Sequence, residues 1–266
     1  MPGGAAAAFG GGAAIGALGG LVGLGGAEFR LPLLLGLFRF AALEAIVLNQ
    51  AMSLAVVAAA LPARASAVPL GALAEQGAVI ANLLAGSLLG AWLGAGWAVR
   101  LRSESLHRVM AVLLVALAAA LLLGHDPVQA GRPPPLEGVL QVAAGVGAGF
   151  AIGVVASLLG VAGGELLIPT LVLLFGADVK LAGSLSLAIS LPTLVAGLAR
   201  YRRERGFATV LARNRSFVLA MAAGSIAGSF VGGRLLGAVP GSLLLPLLAA
   251  VLLVSAWKLW RAARRA

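Results

Sequence analysis

Cysteine is absent from the 266 residues. That excludes a disulfide framework and any thiol chemistry. Histidine occurs only at positions 107 and 125, far apart, so a histidine-based metal centre is not expected. Charge is scarce as well. Only 11% of residues are charged and 61% are hydrophobic, with a mean hydropathy of +1.06. A soluble domain covers its surface with roughly a quarter charged residues. This chain has no such cover, so its solvent is the bilayer. No glycine-rich loop ends in Lys-Ser or Lys-Thr, so the chain brings no ATP site of its own. The start of the chain carries no basic segment and no clear cleavage site, and its first apolar run reads as a retained helix.

What is present is glycine, arginine and long apolar runs. The stretch Gly-Leu-Val-Gly-Leu-Gly-Gly-Ala-Glu-Phe-Arg-Leu-Pro spans residues 20–32. Ser-Leu-Leu-Gly-Val-Ala-Gly-Gly-Glu-Leu-Leu-Ile-Pro spans 157–169. Each is a glycine cluster, one glutamate, and a proline four residues on. Glu28 and Glu165 stand 137 positions apart, and so do Pro32 and Pro169. At that offset Gly16, Gly23, Gly26, Phe38 and Ser53 meet Gly153, Gly160, Gly163, Phe175 and Ser190. Further on, Gly86-Ser87, Gly90 and Gly94 meet Gly224-Ser225, Gly228 and Gly232 at an offset of 138. The chain is one design written twice, and repeats of this length built from apolar segments point to transporter symmetry.

The apolar runs long enough to span lie near 7–25, 43–61, 76–98, 106–123, 138–160, 181–199, 212–233 and 241–259. Residues 29–38 and 166–176 are too short to span easily and follow the glycine clusters directly. Each reads as a short helix, either crossing or forming half of a re-entrant hairpin. The expected division is a first membrane repeat at 1–124, a proline-rich external linker at 125–136 and a second repeat at 137–266. Prolines at 127 and 133–135 forbid helix through the linker.

Arginine sets orientation. Arg100, Arg102 and Arg108 form one cluster. Arg200, Arg202, Arg203, Arg205, Arg213 and Arg215 form a second, and Lys258, Arg261, Arg264 and Arg265 a third. The net charge of +10 therefore marks cytoplasmic loops and not a nucleic-acid surface. Loop 62–75, the repeat partner of 200–215, carries only Arg64 and Glu75. That contrast predicts opposite orientation of the halves and both termini in the cytoplasm. The expected fold is an all-α integral membrane protein. It holds two inverted-topology repeats of about four to five helical segments each, with short or broken helices after the glycine-rich motifs.

The candidate site gathers around those motifs: Gly23, Gly25, Gly26, Ala27 and Glu28 in one half, Gly160, Gly163, Gly164 and Glu165 in the other. Glycines let the chain leave helical geometry. The helix that follows then presents unpaired amides and partial positive charge, a ready anion site. Otherwise such glycines serve close helix packing, which is the reading for the 86–94 run. Glu28 and Glu165 are either helix-capping charges or ionisable groups of the pathway. An ionised glutamate repels an anion, so proton uptake on one of them is the coupling hypothesis. Arg30, whose repeat position is Leu167, is either an anion-binding charge or a partner for Glu28. Asn49 and Ser53 share one helical face, as do their equivalents Ser186 and Ser190. These polar stripes either line a pathway or bond helix to helix. Pro192 is expected to kink its helix. Trp92, Trp97, Trp257 and Trp260 read as interface anchors.

At these residues the sequence resembles the TauE/SafE sulfite exporter-like transporters, also called the toluene sulfonate uptake permease family. Its pattern is a repeated glycine-rich stretch followed by an apolar run and a proline. Here the copies read Gly23-Leu-Gly25-Gly26-Ala27-Glu28 with Pro32, and Gly160-Val-Ala162-Gly163-Gly164-Glu165 with Pro169, over about residues 10–260. The resemblance implies a bacterial inner-membrane carrier for sulfur-containing anions: sulfite, thiosulfate, sulfoacetate or other organosulfonates. The expected function is secondary transport of such an anion by alternating access. Its partners are then a small anionic substrate and the lipid bilayer, with no cofactor, no metal and no enzymatic step, and no oligomeric state follows from the motifs. The alternative is a membrane subunit or assembly factor without transport of its own.

Overall fold

Each glycine cluster ends one helix and begins another. In the computed structural model the described residues are 4–22, 26–64, 68–123, 136–204 and 206–235, with 250, 253, 254, 256, 257, 260, 261, 263 and 264 near the C-terminus. The first half holds α1 (Ala5–Val22), α2 (Ala27–Gly36), α3 (Ala42–Arg64), α4 (Leu70–Glu75), α5 (Gly77–Arg100) and α6 (Ser103–Leu123). The second holds α7 (Gly138–Leu159), α8 (Gly164–Phe175), α9 (Val179–Tyr201), α10 (Phe207–Arg213) and α11 (Arg215–Leu235). No strand occurs among the described residues. The long apolar runs and the two short helices form where hydropathy places them. The run at 241–259 and the linker 125–135 fall mostly outside the described residues. Hydropathy alone overlooks α4 and α10, which are too short and too polar at their ends to register.

The repeat is structural as well as textual. α2, α3 and α4 begin at 27, 42 and 70, and α8, α9 and α10 begin 137 residues later in each case. α3, α5, α7, α9 and α11 are long and apolar enough to cross a membrane. α3 and α9 are the most buried, 56% inside against 39–44% for the other three, so they stand at the centre. Many large apolar side chains of the outer helices, such as Leu89, Leu93, Val139 and Leu140, face outward. In a bilayer that surface costs nothing, because lipid is as apolar as leucine.

The halves exchange partners. α1 packs on α11, and α5 packs on α7. Gly12 and Gly16 of α1 lie against the backbone of Met221 and Ser225, while Gly224, Gly228 and Gly232 of α11 lie against Phe9, Ala13 and Ala17. In the other pair Gly149 and Gly153 of α7 meet Leu83 and Ser87, and Gly86, Gly90 and Gly94 of α5 meet Val146, Phe150 and Val154. These contacts coincide when the halves are swapped. Positions rise together along both members, so the helices of each pair run parallel. A Cβ at most of these glycines would strike a backbone carbonyl of the neighbour. The 86–94 glycines therefore serve packing, as their spacing suggests.

After α2 and α8 the chain reverses through a left-handed residue. Gly176 has φ 68°, and its repeat equivalent Arg39 has φ 56°. Glycine adopts that conformation freely, whereas a side chain is strained there. Arg39 is held between Phe38 and Phe40, whose rings pack edge-on against Phe217 at 4.8 and 5.2 Å.

Candidate functional site

The sequence Gly-Ala-Glu-Phe-Arg-Leu-Pro builds α2 with defects at its start. Gly26 is the N-cap residue at φ 68°, and with no side chain it accepts no capping hydrogen bond. Gly163 does the same for α8 at φ 77°. Helix geometry leaves the amides of the first turn without intrahelical carbonyls. Pro32 and Pro169 have no N–H, so the carbonyls of Glu28 and Glu165 lose their helical donor. At the two starts the amides of Phe29 and Arg30 bond the Gly26 carbonyl, and those of Leu166 and Leu167 the Gly163 carbonyl. Gly23 and Gly25 lie outside the described residues, as does the side chain of Glu165.

α3 brings the two glycine turns together. Asn49 donates through Nδ2 to the carbonyl of Ala27 at 2.9 Å and to that of Leu159 at 3.3 Å. One side chain therefore ties the start of α2 to the end of α7. Ser53, one turn on, lies 2.7 Å from the Asn49 carbonyl and 3.2 Å from the Gly160 carbonyl. It has one proton for those two acceptors. Ile46 packs against Gly160 through its backbone carbonyl, and Gly160 holds φ 66° there. In the second half Ser190 donates to Ala162 at 2.6 Å. Ser186 does not follow Asn49. Its shorter side chain bonds Gly183 of its own helix at 2.9 Å and does not reach the turn.

Arg30 is completely buried. Its Nη2 donates to Ser53 at 2.9 Å, and its Nη1 makes a long contact of 3.5 Å to Ser225 of α11. Nε has no partner, and neither does Oε2 of Glu28, a side chain only 1% exposed. Of the two readings of Arg30, the ion pair with Glu28 is not formed: among the described residues the salt bridges are Arg108–Glu104 and Arg200–Glu204. The guanidinium is held by hydroxyls and has no carboxylate in contact with it among the described residues. Oδ1 of Asn49 and Oε1 of Gln50 are also buried without partners.

Three participants lie outside the candidate set drawn from the sequence, although Gln50 stands in the same polar stripe as Asn49 and Ser53. Gln50 donates to the Leu194 carbonyl of α9 at 3.2 Å, crossing between the central helices. Tyr201 donates to the Ser157 carbonyl at 3.0 Å from a buried position. Ser225 was visible only as part of the repeated Gly-Ser pair. α9 runs unbroken through Pro192. Trp97, Trp257 and Trp260 face outward, as anchors do, while Arg203 lies over the Trp92 ring at 4.6 Å.

Asn49→Ala is expected to cost about 1–2 kcal/mol, since it strips two carbonyls of a shared donor inside a membrane bundle. Ser186→Ala is expected to cost less than about 0.5 kcal/mol, because its hydroxyl bonds only its own turn. Thermal unfolding in detergent compares the two. Equal losses would refute the unequal roles of these repeat-equivalent positions.

A family model described as sulfite exporter TauE/SafE matches residues 1–121 and 144–266. Neither a curated protein nor a solved structure matches the chain.

Proposed function

The chain belongs to the sulfite exporter TauE/SafE family, and from that premise we propose that it is a secondary transporter for a small sulfur-containing anion. The family is one of membrane transporters, and five helices suited to crossing make this a multi-pass membrane protein. The finer reading is alternating access by two inverted repeats in a bacterial inner membrane, both termini in the cytoplasm. Its anion is sulfite, thiosulfate, sulfoacetate or another organosulfonate. The observation that carries this reading is Arg30: a fully buried cation beside a glycine turn, with no carboxylate on it and one donor free. A positive charge in that setting stabilises an anion far more than it would in water.

The substrate-binding set then comprises Arg30, Asn49 and Ser53 with Gly23, Gly25, Gly26, Ala27 and Glu28. The second half adds Gly160, Gly163, Gly164, Glu165, Ser186 and Ser190. No enzymatic step is proposed. Exchange of partners between halves, α1 on α11 and α5 on α7, supports rocking of one repeat-derived unit against the other.

Glu28 supplies the proton. α1, which packs on α2, carries no charged residue, and α3 carries Glu44 and Arg64 only near its ends. α1 and the middle of α3 therefore bring no further charge to Glu28 and Arg30. Flux of sulfite, thiosulfate and sulfoacetate is measured in proteoliposomes with and without an imposed pH gradient. Flux of one anion that follows the gradient is the expected result, and Glu28→Gln should flatten that response. Folded protein that moves none of them would favour the role of a non-transporting subunit or assembly factor.

A further inference from the structure

We infer that Ser225, on α11 of the second half, completes the seat for the anion's oxygens and makes binding depend on contact between the halves. This deepens the reading of Arg30 as the anion-binding charge and rests on it. Three observations converge. Ser225 is fully buried, yet its hydroxyl has no acceptor among the described residues. Other buried hydroxyls do have one: Thr193 donates to the Ile189 carbonyl, and Ser190 to the Ala162 carbonyl. The contact from Arg30 Nη1 to Ser225 is 3.5 Å, at the limit of a hydrogen bond. Nε of the same guanidinium is without a partner. The seat therefore holds a free Nε–H, a poorly used Nη1 and a free hydroxyl proton, all donors.

An oxygen placed between Arg30 and Ser225 accepts from both and replaces one long contact with two good ones. A head group with three oxygens, as in sulfite or a sulfonate, offers acceptors to all three donors, whereas a halide offers a single centre. Because Arg30 belongs to α2 and Ser225 to α11, 195 positions apart, such a ligand closes the first half onto the second. Among the described residues the second half carries no equivalent seat. There Ser87 takes the place of Ser225, its hydroxyl is 2.8 Å from that of Thr193, and Leu167 takes the place of Arg30.

The test is sulfite binding to the purified full chain in lipid nanodiscs by calorimetry, with methanesulfonate and chloride as further probes. Ser225→Ala is expected to weaken sulfite and methanesulfonate about 10-fold, while Ser87→Ala stays within about twofold and chloride binds neither protein appreciably. The melting temperature of each variant is read alongside to confirm folding. If Arg30→Gln abolishes sulfite binding but Ser225→Ala matches Ser87→Ala, the role of Ser225 is overturned and that of Arg30 stands. If Arg30→Gln also binds sulfite within twofold of the unaltered protein, the reading of Arg30 fails, and this inference fails with it.

Discussion

Replacing Arg30 with leucine, the residue at its own repeat position, is expected to reduce anion flux by about 100-fold or more while the protein stays folded. Removing one member of a buried, hydrogen-bonded charge contact costs about 2–5 kcal/mol of binding, and each 1.4 kcal/mol is roughly tenfold. Stability should not follow. Arg30 is fully buried and no carboxylate contacts it among the described residues, so much of its desolvation cost remains. Leu167 shows that leucine fits the equivalent place, where it is 1% exposed. The expected pair of results is lost flux in proteoliposomes and a melting temperature that is unchanged or higher. Arg30→Lys should also lose most of the flux, because one ammonium does not reproduce a fork that reaches Ser53 and Ser225 together. Flux within twofold of the original protein in Arg30→Leu would remove Arg30 from the transport path.

The same substitution should act with opposite sign at two glycines of the α5–α7 pair. A Cβ at Gly90 meets the backbone of Phe150, which has no rotamer by which to yield. Gly90→Ala is expected to destabilise by about 2–4 kcal/mol, at or above the usual cost of overpacking, and to lower the yield of folded protein. Gly147 lies on α7 with nothing within 4 Å of an added Cβ. Gly147→Ala should stabilise by about 0.5–1 kcal/mol through helix propensity alone. Denaturation of both variants in one detergent decides the matter. Equal effects would mean that glycine acts here through the backbone and not through the fit of α5 against α7.

The repeat-equivalent pairs show how far the sequence reaches. Glu28 and Glu165, with Pro32 and Pro169, mark where a short helix starts, and α2 and α8 start one residue before each glutamate. Asn49 and Ser186 were equal on paper. They differ in the fold because an amide whose donor is one bond further out spans to Ala27 and Leu159, whereas a hydroxymethyl group bonds Gly183. In the sequence Arg30 is open to two readings, an anion-binding charge or a partner for Glu28. Residues two apart point away from each other on a helix, and Arg30 turns to Ser53 and Ser225 instead.

By itself the sequence determined the solvent, the duplication, the positions of the helices and the places where glycine and proline interrupt them. Those follow from local properties: hydropathy over some 20 residues, backbone freedom and a missing N–H. Only the tertiary structure decided that α1 lies on α11 and α5 on α7, and that Ser225 comes to Arg30 across 195 positions. No local preference encodes such contacts. They arise because glycine faces let particular backbones approach, and that approach sets which buried polar groups meet and which are left free for a ligand.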